Sequence, residues 1–239
     1  MLILAMLAVA SCSDDDDNEQ PQPQPISFSF EQAQALGVNL PYRKAEINKD
    51  KDAKAALVIY LHGGSSKGID NTAQMGEPAV GTIAEYLSGQ GIKSVFLVPQ
   101  CPSDKSWGGT MNGVLKSLID TYVANGTVDA GQVYILGGSM GGTGTWSMVS
   151  SYPGVFAAAM PVAGDPSKCD AAKVAATPVL TVMGTADAIM DIDKVSAFVE
   201  GLKAQGGTAR MDTEQDWTHE DVCEKSYTKE RLDWVFGTK

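Results

Sequence analysis

Two histidines, His62 and His219, are all this 239-residue chain offers for proton transfer near neutral pH. Its four cysteines, Cys12, Cys101, Cys169 and Cys223, stand far apart. No Cys or His pair has zinc-finger spacing, no HExxH helix is present, and the glycine-lysine loop that cradles nucleotide phosphates is missing. The expected chemistry therefore uses neither metal nor cofactor. Bases are also scarce, 18 Lys and Arg against 29 Asp and Glu for a net charge of −11, and they do not cluster. Nucleic acid is excluded as a partner, because phosphate binding depends on such clusters. Internal repeats are absent, and so is a second hydrophobic unit. What is abundant is glycine, 25 residues, consistent with many tight turns between alternating elements.

The apolar run Met1 to Ala10 is ten residues long, half of the roughly 20 needed to span a bilayer. It has the length of a signal-peptide core, although a basic start is missing. Val9-Ala10-Ser11-Cys12 resembles the bacterial lipobox, where cleavage before the Cys precedes its lipidation. Residues 1–11 are thus expected to be a lipoprotein signal peptide and Cys12 the lipidated residue. The acidic run Asp14 to Asp17 resembles a surface-export signal of Bacteroidetes-type lipoproteins, and the Pro-Gln repeat up to Pro25 reads as an extended spacer. Together residues 12–25 form a tether, which places the protein in the bacterial cell envelope, anchored in the outer membrane and facing outward. Setting the five acids of this segment aside leaves 24 acids against all 18 bases. Much of the acidity belongs to the tether.

From residue 26 to 239 the chain reads as one α/β domain. ALVIYL (56–61), SVFLV (94–98), VYIL (133–136), residues 156–162 and PVLTVM (178–183) are short continuous apolar runs, as strands buried on both faces require. Residues 40–47 predict an earlier strand. Helical patterns fall between them, over residues 72–88, 114–123, 143–151, 193–204 and 227–236. This alternation predicts a mainly parallel sheet with helices on both faces. The connections are too short for a large cap domain.

Gly137-Gly138-Ser139-Met140-Gly141 fits G-x-S-x-G between an apolar strand and a helix, the context of a nucleophile elbow. The flanking glycines let the backbone turn sharply and expose Ser139 Oγ, while the helix start favours developing negative charge. A serine hydroxyl needs a base. His62 follows directly on a buried strand in Leu61-His62-Gly63-Gly64, and His219 lies after the last expected strand, so the chain order Ser, Asp, His selects His219. The acid must accept a hydrogen bond from the imidazole. Asp187 stands just past the strand PVLTVM, where α/β sheets place their ligands, with Asp191 and Asp193 as close competitors.

These segments, with LPYRKAE, VPQCP, SWGG and YPGVFAAAMPVAG, resemble the α/β-hydrolase superfamily, and within it the compact secreted serine esterases. The likeness is to feruloyl and acetylxylan esterases, polyhydroxybutyrate depolymerases and the predicted peptidase/phospholipase-carboxylesterase group, over residues 38–236. The resemblance implies Ser139 as nucleophile, Asp187 as acid and His219 as base, with Met140 and Gly64 N–H as the oxyanion hole and His62 structural. Two departures stand out: DAIMD where the group reads DxxVP after the acid, and Trp217-Thr218 where it tends to place Gly before the His. The function implied is a surface-anchored ester hydrolase, a carbohydrate esterase removing acetyl or feruloyl groups from polysaccharide. Peptidase or lipase action on the same triad is an alternative, and so is a non-catalytic glycan-binding lipoprotein. Trp107 and Trp217, on loops at the active edge, are expected to contact substrate, whereas Trp146 is expected in the core. Cys169–Cys223 is the preferred pair if a disulfide forms.

Overall fold

A computed structural model describes residues 25–237. The expected leader, Cys12 and nearly all of the tether lie outside these residues. The sheet has eight strands in the order β1-β2-β4-β3-β5-β6-β7-β8. They are β1 (Ser29–Ala35), β2 (Val38–Ile47), β3 (Ala55–Leu61), β4 (Ser94–Pro99), β5 (Val128–Gly138), β6 (Ala158–Val162), β7 (Val179–Gly184) and β8 (Ala209–Glu214). The hairpin β1–β2 runs antiparallel and β2 pairs antiparallel with β4, while β4 through β8 are parallel. Helices α1 (Pro78–Gly89), α2 (Thr110–Ala124), α3 (Met140–Ser151), α4 (Ala171–Val174), α5 (Ile192–Ala204), α6 (His219–Lys225) and α7 (Lys229–Gly237) complete the chain.

The period of two along each strand splits the core. Leu57, Ile59 and Leu61 of β3 face one layer with Leu97, built with α2, α3 and α5 through Leu115, Trp146 and Val199. Val58 and Tyr60 face the other with Phe96, closed by α1, α6 and α7 through Ile83, Val222 and Leu232. Each fully buried aliphatic contributes about 1.5–3 kcal/mol relative to exposure, so a strand apolar on both sides suits only a sheet covered on both sides. Trp146 is fully buried, as expected.

Four elements, β1, β8, α4 and α6, were not foreseen. β1 and β8 are edge strands whose sequences, SFEQAQA and ARMDTE, alternate or mix polar residues. His219, expected only to follow the last strand, is the first residue of the short helix α6. The helix expected over 72–88 begins later, at Pro78, behind a 3₁₀ turn over Ala73–Gly76. At the carboxyl edge of the parallel strands, no described segment is longer than residues 62–77. Among the described residues, no large cap domain covers that edge.

Candidate active site

The turn from β5 into α3 places Ser139 at φ 56°, ψ −118°. A non-glycine residue there stores about 1–3 kcal/mol of strain, held by its surroundings. Those surroundings demand glycine: a Cβ at Gly141 would lie 1.8 Å from the Leu61 carbonyl oxygen, and one at Gly137 would lie 2.6 Å from the Gly141 carbonyl oxygen. The G-x-S-x-G spacing is therefore the cost of bringing the elbow against the end of β3.

Ser139 Oγ–H donates to His219 Nε2 at 2.8 Å, and His219 Nδ1–H donates to Asp187 Oδ2 at 2.8 Å. The Asp187 carboxylate is wholly shielded from solvent, and its Oδ1 accepts the N–H groups of Ile189 (2.8 Å) and Met190 (2.9 Å). Those two bonds fix the carboxylate and explain how DAIMD serves where the resemblance led one to expect another loop. The competitors are elsewhere. Asp191 caps α5 through the amides of Asp193 and Lys194, and bonding to Lys194 holds its carboxyl below the usual range. Asp193 lies within the first turn of α5.

His219 is delivered by a capping box. Thr218 caps α6 by accepting from the Asp221 amide, and Asp221 accepts from the Thr218 amide in return. Bonding to Lys225 and to Thr218 brings the Asp221 carboxyl down to about 2. Ahead of it, Asp216 takes the left-handed turn at φ 60°, and the Trp217 carbonyl accepts the Ala186 N–H at 3.1 Å. Asp216 thus makes the reversal that leads into Trp217-Thr218 and the start of α6.

His62 lies on the other side of Ser139 and is fully buried. The Cys101 N–H donates to its Nε2 at 2.9 Å, so Nδ1 carries the proton and donates to the Gly63 carbonyl at 2.6 Å. Burial holds this imidazole below its ordinary pKa, and its ring is committed to the backbone. Met140 N–H is the first amide of α3, and Gly64 N–H opens a 3₁₀ turn over Gly64–Ser66. First-turn amides have no partner within their own helix. A Cβ on Gly63 would touch that of Ser139 at 3.7 Å, so this loop borders Ser139.

Trp107 requires a correction. It is buried, its Nε1–H donates to the His62 carbonyl at 2.9 Å, and its ring meets the His62 ring edge-on at 5.2 Å. A side chain so enclosed has no face for substrate. Trp217 is half-buried, with Lys225 Nζ 5.8 Å from its ring centre, and it borders a groove of about 580 Å³ along β8. The three described cysteines are free thiols, so the Cys169–Cys223 pair does not form. Cys223 sits 4.0 Å from His219 Nε2, with burial pushing its thiol up to about 12. Among the described residues, no group of three His, Cys, Asp or Glu is arranged to hold a metal ion.

Sequence reasoning also missed Glu77. Its carboxylate accepts from the Gly63 N–H, the Ser66 hydroxyl and the Tyr60 hydroxyl, behind the loop that carries Gly64.

The dienelactone hydrolase family model matches residues 103–230, more than half of the chain. A curated relative, poly(3-hydroxyalkanoate) depolymerase C of Paucimonas lemoignei, is 33% identical over 124 residues, 49% of this chain and 30% of the relative. The chain thus spans under a third of that relative's length. Among solved structures, a thermostable esterase superposes with a TM-score of 0.81 at 25% identity, covering 88% of this chain and 62% of the other. The feruloyl esterase module of Clostridium thermocellum, solved with sinapinate, gives 0.69 at 14% identity over 92% and 91%, a likeness of fold.

Proposed function

The chain belongs to the dienelactone hydrolase family, and from that premise we propose that it is a serine hydrolase of carboxylic esters. The observation that carries this reading is the hydrogen-bonded line Ser139–His219–Asp187 at the carboxyl edge of the sheet. Ser139 Oγ attacks the ester carbonyl while His219 Nε2 takes its proton. Asp187 holds the imidazole by Nδ1–H and stabilises the imidazolium. The amides of Met140 and Gly64 receive the oxyanion of the tetrahedral intermediate. His219 then protonates the leaving alcohol, and water, activated by the same imidazole, releases the acid from the acyl-enzyme.

The uncapped edge suits a substrate larger than the site. With the expected tether, this favours acetyl or feruloyl esters on polysaccharide, cleaved outside the cell by a lipid-anchored protein. Trp217, of the two loop tryptophans, is the one with surface to offer a sugar or aromatic acyl group. A polyester is the second reading. Ile69 and Ile189 are 78% and 69% exposed on the connections that follow β3 and β7, and the Paucimonas lemoignei relative is named for such a polymer.

The test is hydrolysis of p-nitrophenyl acetate, p-nitrophenyl butyrate, methyl ferulate, acetylated xylan and poly(3-hydroxybutyrate) by wild type and Ser139→Ala. Turnover by the wild type, abolished in the variant, is expected, with acetylated xylan or methyl ferulate preferred. Preference for the polyester would move the second reading to first. Failure on every ester, together with retained binding to xylan, would sink the catalytic reading in favour of a glycan-binding protein.

A further inference from the structure

Glu77 is the N-cap residue of α1, yet its side chain makes no bond to the amides of that helix. Ser, Thr, Asp and Asn are the residues that serve a helix start from this position, so capping does not account for a glutamate here. Its carboxylate instead reaches across to the loop after β3. Oε1 accepts from Gly63 N–H at 2.8 Å and from Ser66 Oγ–H at 2.8 Å, and Oε2 accepts from Tyr60 Oη–H at 2.7 Å. Tyr60 is buried in β3 and Ser66 closes the 3₁₀ turn that begins at Gly64. One carboxylate thus ties the strand before the loop, the loop and the turn after it.

The effect on Gly64 follows from the peptide planes. The peptide joining His62 to Gly63 is gripped at both ends, its carbonyl by Trp107 Nε1–H and its N–H by Glu77. In the next peptide, Gly63 C=O accepts from His62 Nδ1–H, and the N–H is that of Gly64. A trans peptide points its N–H opposite its C=O, so fixing the carbonyl aims the Gly64 amide. Release of Glu77 frees one end of the first plane, the Ser66 hydroxyl that closes the turn and the Tyr60 hydroxyl beneath it. The carboxylate is close to the chemistry without touching it: a Cβ on Gly63 would meet Glu77 Oε1 at 3.5 Å and Ser139 Cβ at 3.7 Å.

We propose that Glu77 is a positioning residue for the oxyanion loop, aiming the Gly64 amide at the developing oxyanion through Gly63, Ser66 and Tyr60. This rests on the serine-hydrolase reading given above. A donor that acts on the transition state alone sets kcat rather than KM.

The experiment is steady-state hydrolysis of p-nitrophenyl acetate by wild type, Ser139→Ala, Glu77→Ala and Glu77→Gln, with kcat expressed per folded molecule. Glu77→Ala is expected to lose kcat about 10- to 100-fold while KM stays within about 3-fold. Glu77→Gln, whose amide oxygen still accepts from Gly63 N–H, is expected to recover part of that loss. A Glu77→Ala kcat within about 3-fold of wild type overturns the proposal, as does a Glu77→Gln no better than Glu77→Ala. Should Glu77→Ala fail to fold, Ser66→Ala and Tyr60→Phe each remove one donor, and kcat losses of about 2- to 10-fold are expected. Wild-type rates from both would overturn it. Turnover by wild type and none by Ser139→Ala keeps the hydrolase reading standing even if Glu77 proves dispensable. An inactive wild type overturns both.

Discussion

His62 and His219 flank the same serine from opposite halves of the sheet, His62 just past β3 and His219 at the first turn of α6. The β3 half is wired into the backbone and sealed. His62 is fully buried, bonded to Cys101 N–H and Gly63 C=O, and roofed by Trp107. The α6 half is wired through side chains and stays within reach of water, with 14% of the His219 side chain exposed and its imidazole held by Asp187 and Ser139, with Cys223 Sγ 4.0 Å from Nε2. The difference teaches that residue type does not assign a role. A histidine whose two nitrogens are spent on amides orients a loop, whereas one spent on a carboxylate and a hydroxyl is free to move a proton.

The sharpest way to break this comparison is to delete each histidine. His219→Ala is expected to lower kcat by about 10⁴-fold or more. Its melting temperature should stay within about 3 °C of wild type, because a partly exposed side chain is lost. His62→Ala should invert the pattern, with a kcat loss of about 10- to 100-fold and a stability loss of about 2–4 kcal/mol from the cavity and the orphaned Cys101 amide. Rates on p-nitrophenyl acetate and urea unfolding check both. Acid sharpens it further. Burial lowers the His62 pKa from 6.5, so the unfolded chain binds a proton there before the folded one does. Stability from this group is complete above the ordinary histidine range and is lost as pH falls through the depressed native value. That slope should disappear in His62→Ala.

These two halves also differed in how far the sequence announced them. The inner strands were legible because ALVIYL and PVLTVM are apolar on both faces, and Ser139 because only glycines at 137 and 141 admit the elbow. Edge strands carry polar residues on their open side, which hid β1 and β8. The two-residue turn between β1 and β2, Leu36-Gly37 at φ 50° and 73°, lacks the usual Asn-Gly signature. The spacing Thr218-x-x-Asp221 was a readable helix start that would have placed His219 on α6. Glu77 was not readable, since its three partners come together only after folding. Trp107 was misjudged because loop position does not reveal burial. Room for it is made at Gly144, where a Cβ would lie 2.3 Å from that of Trp107.

Trp107→Phe separates the two roles for that residue at a smaller scale. Loss of the indole N–H leaves the His62 carbonyl without its donor, and kcat is expected to fall about 3- to 10-fold. A buried orienting residue affects every substrate equally, so p-nitrophenyl acetate and methyl ferulate should lose kcat by the same factor with KM unchanged. A rise in KM confined to the ferulate would instead return Trp107 to the substrate surface.

The smallest effect is expected in the half that side chains hold together. Asp221 closes the capping box under His219 and pairs with Lys225. Asp221→Asn keeps an acceptor for the Thr218 amide but removes the charge from both interactions. The group is partly exposed, and ion pairs at such surface sites are weak, so the melting temperature should fall by no more than about 3 °C. Salt should shrink that difference, and kcat should stay within about 2-fold, since the Asp187 and Ser139 bonds still orient the imidazole. The sign with pH is fixed by the depressed carboxyl, which stands at about 2 in the folded chain. Its contribution is complete above the ordinary carboxylate range and is lost as pH falls through that value, so melting curves of variant and wild type should converge in strong acid. A large loss of kcat at neutral pH with a normal melting temperature would mean that the capping box aims His219. The contrast between a backbone-wired and a side-chain-wired half would then have to be redrawn with α6 as rigid as the loop after β3.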